Sequence, residues 1–273
     1  MMTKWLITWL CALSGVLAAQ HEVVDFFVDP VGKAYYLLAD EQLVTDNPTG
    51  QNRFVFYDSS LGAPTSVDVT NPFAILLFYA DYGNVVLLDR TLSEVSRLDL
   101  FAGEAVLQPE ALARAADDGL WVFDGWDYRL KLLDATGAVR LQSNDLRLAL
   151  QLKTAPAAIY VNGGEVLLHY RDEQRLAIFT AYGRFQRWID LPAADHFGWY
   201  APVLTGTTDS VAWTYRGGEP AVRNWPQRPA TANGDQLTPL GGKRYWQRQG
   251  YYGLDASGRS RLLPFPQKAR KEK

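Results

Sequence analysis

The chain has 273 residues, a formal net charge of −3, three histidines and a single cysteine. A balance this close to neutral argues against nucleic-acid binding, which calls for a basic patch or stripe. One cysteine allows no internal disulfide, while 48% apolar and 13% aromatic residues provide for a large buried core.

Residues 1–19 read as a secretory leader. Lys4 supplies the charge, residues 5–17 form an apolar run broken only by Thr8, Ser14 and Gly15, and small Ala18 and Ala19 precede polar Gln20. The run is shorter than the roughly 20 residues of a comfortable membrane span. Cleavage between Ala18 and His21 is expected. It would remove Cys11 and both methionines and leave a sulfur-free exported chain. Cys11 follows Leu10 inside the apolar run, which does not fit a lipid-modified cysteine. The remainder divides into one domain over residues 20–266 and a basic, solvated tail, QKARKEK, over residues 267–273.

Along that domain a strand–turn–strand phrase recurs. Its copies are ILLFYADYGNVVLLDRTLSEVSRLDL from Ile75, LWVFDGWDYRLKLLDATGAVRL from Leu120, VLLHYRDEQRLAIFTAYGRFQRWIDL from Val166 and KRYWQRQGYYGLDASGRSRLLPF from Lys243. Strong strands centred on Tyr36, Leu77, Trp121, Leu167, Trp213 and Tyr245 are spaced by about 32–46 residues, close to the length of a four-stranded propeller blade. Units made of strands alone cannot bury their own faces and must stack on their neighbours. The fold expected is therefore an all-β propeller of six blades, each of about four antiparallel strands. In chain order, Val23–Val28 is expected to complete a last blade around residues 243–265, and residues 40–53 to form an insertion in the first blade. PEALARAA, residues 109–116, carries a helical period with Pro109 in the first turn. Residues 216–237 are rich in Gly and Pro and read as a degraded fifth blade with a long loop.

The turns repeat as well. Asp29-Pro-Val-Gly32-Lys-Ala-Tyr35, Asp117-Asp118-Gly119 and Asn162-Gly163-Gly164 each place a polar turn before a strand. The first of these resembles the D-x-x-G-x-x-Y motif of six-bladed propellers of the NHL and related families. The stretch from Asp68 to Phe73 followed by ILLFYADYGNVVLLD is similar to uncharacterised exported propeller-like proteins of Gram-negative bacteria. These likenesses imply architecture and export, with no activity attached.

Candidate chemistry is sparse. His21, His169 and His196 have no metal-ligand spacing, no G-x-S-x-G nucleophile turn exists, and no cofactor motif is present. Asp29-Pro30 followed by Tyr35-Tyr36-Leu37, together with Gly218-Glu219-Pro220, is similar to five-bladed propeller glycosidases. That resemblance implies a pair of carboxylates working as acid and base or nucleophile. Asp29 is also explained as a turn residue. A non-catalytic reading rests on loops joining second to third strands, which all lie on one face. They are expected to bring Tyr82, Trp126, Tyr128, Arg171, Arg216 and Arg248 to one surface. Tyr, Trp and Arg are enriched at interface hot spots because they bury area while keeping a polar handle. The function expected is an interaction scaffold in the periplasm or at the outer membrane with a protein partner of the cell envelope. A glycan-binding or glycan-hydrolysing propeller is the alternative.

Overall fold

The computed structural model describes residues 22–46, 53–208, 211–226, 242–246, 250–255 and 258–264. Six antiparallel sheets follow one another along the chain and form the blades of a β-propeller. Blade 1 contains β1 (Val23–Val28), β2 (Ala34–Leu38), β3 (Leu43–Asp46) and β4 (Arg53–Phe56). Blade 2 contains β5 (Ser66–Asp68), β6 (Ile75–Tyr79), β7 (Asn84–Leu88) and β8 (Glu94–Asp99). Blade 3 contains β9 (Pro109–Arg114), β10 (Leu120–Asp124), β11 (Arg129–Leu133) and β12 (Val139–Gln142). Blade 4 contains β13 (Ala158–Asn162), β14 (Glu165–Tyr170), β15 (Arg175–Thr180) and β16 (Phe185–Asp190). Blade 5 contains β17 (His196–Tyr200), β18 (Val203–Thr207), β19 (Val211–Arg216) and β20 (Arg223–Pro226). Among the described residues blade 6 has three strands, β21 (Tyr245–Trp246), β22 (Gly250–Leu254) and β23 (Ser260–Pro264).

The burial of each strand explains the repeated phrase. Second strands are covered on both faces by neighbouring blades, so β6 and β10 are buried at every position and read as continuous apolar runs. Fourth strands lie at the rim, and β8 and β12 are mostly exposed and polar. The core is correspondingly divided into clusters between adjacent sheets. Tyr35, Ile75 and Val86 join blades 1 and 2, and Phe78, Leu112 and Val122 join blades 2 and 3. Trp121, Phe123 and Phe179 join blades 3 and 4, and Leu167, Ile178 and Trp213 join blades 4 and 5. Each fully buried side chain of this size contributes about 1.5–3 kcal/mol. Gly198 lets β17 approach the Arg244 carbonyl, where a Cβ would overlap it.

Four expectations need correction. Val23–Val28 pairs with β2 in the first blade and does not complete the last one. Blades 6 and 1 meet face to face instead. Phe26 and Tyr36 pack with Tyr245 and Leu254, the Tyr245 hydroxyl donates to the Phe26 carbonyl at 2.6 Å, and Lys243 Nζ lies 2.7 Å from an Asp25 oxygen. The PEALARAA segment is strand β9, because a first strand wedged between neighbouring blades needs small side chains. Ala111 and Ala113 are buried there, so packing overrides helix propensity. The helix of this region is instead α1 (Leu146–Leu150), capped by the Asp145 side chain. Residues 40–53 are not purely an insertion, since they contain β3. The fifth blade is not degraded: VLTGT forms its second strand and Trp213 lies on its third.

Removal of residues 22–28 takes away the channel-side strand of blade 1 and, with Phe26 and Val28, part of the seam with blade 6. A net stability of about 5–15 kcal/mol cannot absorb that loss. Near-ultraviolet circular dichroism of this deletion variant is expected to show no cooperative thermal transition.

Candidate functional site

Antiparallel order places the connections alternately at the two ends of each blade. The loops between second and third strands share one face with the connections between successive blades, hereafter the loop face. Tyr82 lies there in a short 3-10 turn, Ala80–Tyr82, closed by Gly83 at φ +59, and is half exposed. Trp126, in the β10–β11 loop, is 67% exposed. Arg171, at the start of the β14–β15 loop, holds its guanidinium 5.1 Å from the centre of the Phe197 ring.

Of the other three residues expected on this surface, Tyr128 and Arg216 are placed elsewhere. Tyr128 is 4% exposed, packs edge-on against Phe123 with ring centres 4.9 Å apart, and donates its hydroxyl to the Thr154 carbonyl. It is a core residue because a left-handed backbone, φ +59, turns its side chain inward. Arg216 ends the third strand of blade 5 and therefore lies at the opposite face, where Gly217 N–H bonds the Pro202 carbonyl. Arg248 lies outside the described residues, between β21 and β22. Sequence reading missed Phe101, Leu107 and Leu148, which stand 41%, 49% and 88% exposed on the inter-blade connections of the same face. No sequence signal separates them, since each stands within two residues of apolar neighbours that are buried: Leu100, Val106, Leu146 and Leu150.

The Trp126 loop is fixed from beneath by a buried ion cluster. Lys131 Nζ lies 2.6 Å from Asp124 and 2.9 Å from Asp127 and donates to the Ala105 carbonyl at 3.0 Å. Asp124, fully buried, also accepts the backbone N–H groups of Leu107, Gln108 and Trp126. Burial works to raise the Asp124 pKa, but the hydrogen bonds from Lys131 and these amides outweigh it and hold the carboxyl below its usual range. One ion pair thus ties the Leu107 connection to the Trp126 turn.

The first strands of the blades stand around a central channel of about 490 Å³. Its wall on one side is aromatic: Tyr160 and Trp199 stack with centres 5.0 Å apart, and Phe27, Phe197 and Tyr245 extend the surface. At the loop-face mouth, Lys243 is held by both Asp25 oxygens at 2.7 and 2.9 Å. Behind the wall lies His169, with no exposed surface, its Nδ1 3.4 Å from the Tyr160 hydroxyl and its Nε2 unpartnered. Burial, then the Arg171 charge, lowers its pKa to about 3, so the ring is neutral.

The two acids of the hydrolytic alternative are both engaged. Asp29, 1% exposed, accepts the N–H groups of Val31 and Lys33 on one oxygen and faces the Tyr35 hydroxyl with the other. It caps a turn that Gly32 closes at φ +88, and Asp89 and Asp134 cap two other turns in the same way. Glu219 pairs with Arg223 at 2.8 Å. Among the described residues no His, Cys, Asp or Glu cluster has metal-binding geometry, and no helix is long and apolar enough to cross a membrane.

Two measurements follow from this geometry. Tyr128→Ala should lower stability by about 3–5 kcal/mol, whereas Trp126→Ala should change it by no more than about 0.5 kcal/mol; chemical denaturation separates them. His169 is neutral when folded and has an ordinary value of 6.5 when unfolded. A depressed folded pKa means its contribution is complete above 6.5 and is lost on acidification down to about 3. Unfolding free energy should fall with a slope approaching about 1.4 kcal/mol per pH unit in that window from this group, and His169→Phe should flatten the slope.

No protein-family model matches the chain, and no curated protein matches it by sequence. Solved structures match it by shape. A streptogramin B lyase superposes with a TM-score of 0.58 at 10% identity, covering 92% of this chain and 86% of that one. The virginiamycin B lyase of Staphylococcus aureus gives 0.55 at 9% identity over 88% and 80%. The WD40 domain of Neurospora crassa Pan2 gives 0.54 at 8% over 90% and 80%. At such identities the likeness establishes the propeller fold that this chain shares with them.

Proposed function

We propose that this protein is a non-catalytic interaction scaffold that docks a protein partner on its loop face, and that it does so in the periplasm or at the outer membrane after export. The observation that carries the reading is the set of Tyr82, Phe101, Leu107, Trp126 and Leu148, all exposed on connections at one end of blades 2 and 3. Large apolar side chains displayed on neighbouring loops of one face are a feature of interaction sites. The connections are also tied to one another, since a Cβ at Gly83 would overlap the Phe101 ring and Gly125 N–H bonds the Gln108 carbonyl. Trp126 has the character of a hot spot: wide, apolar and seated on a fixed turn. The leader-like residues 1–19 support export. The lyases that share the fold are enzymes by name, but a hydrolytic reading here loses support because Asp29 is saturated by its own turn.

The test combines mass and capture. Intact protein recovered from the cell envelope should begin after Ala19. The tagged protein should retain one stoichiometric partner, and Trp126→Ala or Tyr82→Ala should weaken that complex by about 2 kcal/mol or more without shifting the melting temperature. Capture that survives both substitutions would refute docking on this face. Glycan hydrolysis abolished by Asp29→Asn in a folded protein would overturn the non-catalytic reading.

A further inference from the structure

The central channel, set apart from the docking loops, has a chemistry of its own. Its volume of about 490 Å³ lies within the range of about 300–1,000 Å³ usual for small-molecule sites. Tyr160, Phe197 and Trp199 line it from two adjacent first strands and are only partly buried. Flat, half-open aromatic faces suit a ligand that presents C–H faces. Among the described residues their strands, β13 and β17, pair only on the side of β14 and β18. The other edge of each, with its backbone donors and acceptors, faces the channel and suits a ligand rich in hydroxyls.

Charge narrows the class. Among the described residues at the loop-face mouth, Lys243 is already neutralised by both oxygens of Asp25, and the Glu110 carboxylate accepts from the Gln108 amide. Arg171 is not neutralised: its guanidinium lies over Phe197, and no carboxylate pairs with it among the described residues. A planar guanidinium held against a ring presents a free edge to a carboxylate, which it can grip through two parallel hydrogen bonds. We infer that the channel binds a carboxylate-bearing saccharide, with its sugar rings against Tyr160, Phe197 and Trp199 and its acid group on Arg171. This inference stands without the docking of a protein on the Trp126 face.

Trigalacturonic acid and its methyl ester serve as probes, read by calorimetry and by tryptophan fluorescence on the full domain. The acid should bind saturably at one site per chain, and the neutral ester at least about tenfold more weakly, the equivalent of about 1.4 kcal/mol. Arg171→Ala should weaken the acid by a similar factor while leaving the ester unchanged. Trp199→Leu should weaken both, and Trp126→Ala neither. Arg171 is exposed, so its substitution leaves the fold intact and decides the matter even if Trp199→Leu unfolds. Failure of the acid to bind at millimolar concentration, equal binding of acid and ester, or affinity unaffected by Arg171→Ala would each overturn the assignment.

Discussion

Everything in this molecule depends on faces that no blade can cover by itself. A four-stranded sheet with apolar second and third strands has two apolar sides, and each becomes buried only when the next sheet lies against it. The clusters around Ile75, Val122, Phe179 and Trp213 are all of this kind. The ring therefore stands or falls with its last contact, where Tyr245 reaches the Phe26 carbonyl and Lys243 grips Asp25. The channel is a by-product of the same constraint: first strands converge on the axis, and what they cannot bury against one another is left lining a hole.

The channel and the loop face use the two parts of a blade differently. First strands are held on one side by their own sheet and on the other by nothing, so their chemistry is a mixture of backbone edge and whatever side chains fit. That is why Tyr160, Trp199 and Phe197 are half open while His169, one strand further out, is sealed. Loop-face residues are freed from such packing. Trp126 projects because the turn beneath it is satisfied by Asp124, whereas Tyr128, two residues later, is drawn back under the blade.

What the sequence discloses follows the same division. Second strands such as ILLFY and LWVFD are buried on both sides and stand out as apolar runs, so the propeller and its blade number were readable. Among first strands, Val23–Val28 was readable with its observed bounds and Tyr245 stood out as a strand, but ALA in β9 mimics a helix. The fifth blade was read one strand out of phase. Its second strand, VLTGT, is small and polar because the Trp213 indole lies over Gly206, where any Cβ would overlap the ring. Trp213 therefore looked like a second strand, and Arg216 was assigned to the wrong face as a result. The channel as a site was invisible, since its residues are scattered from Phe27 to Tyr245 and no local pattern links them.

The buried ion cluster beneath Trp126 has a consequence for how a surface of this kind recognises anything. Lys131 and Asp124 are shielded from solvent far more than surface pairs are, so salt screens them little. They immobilise the turn before any encounter takes place. A molecule that settles on Trp126 thus meets a side chain whose backbone entropy is already spent, and little ordering opposes association. Discrimination between partners then lies in how long each complex persists, because contacts on a rigid platform alter the rate of escape more than the rate of arrival.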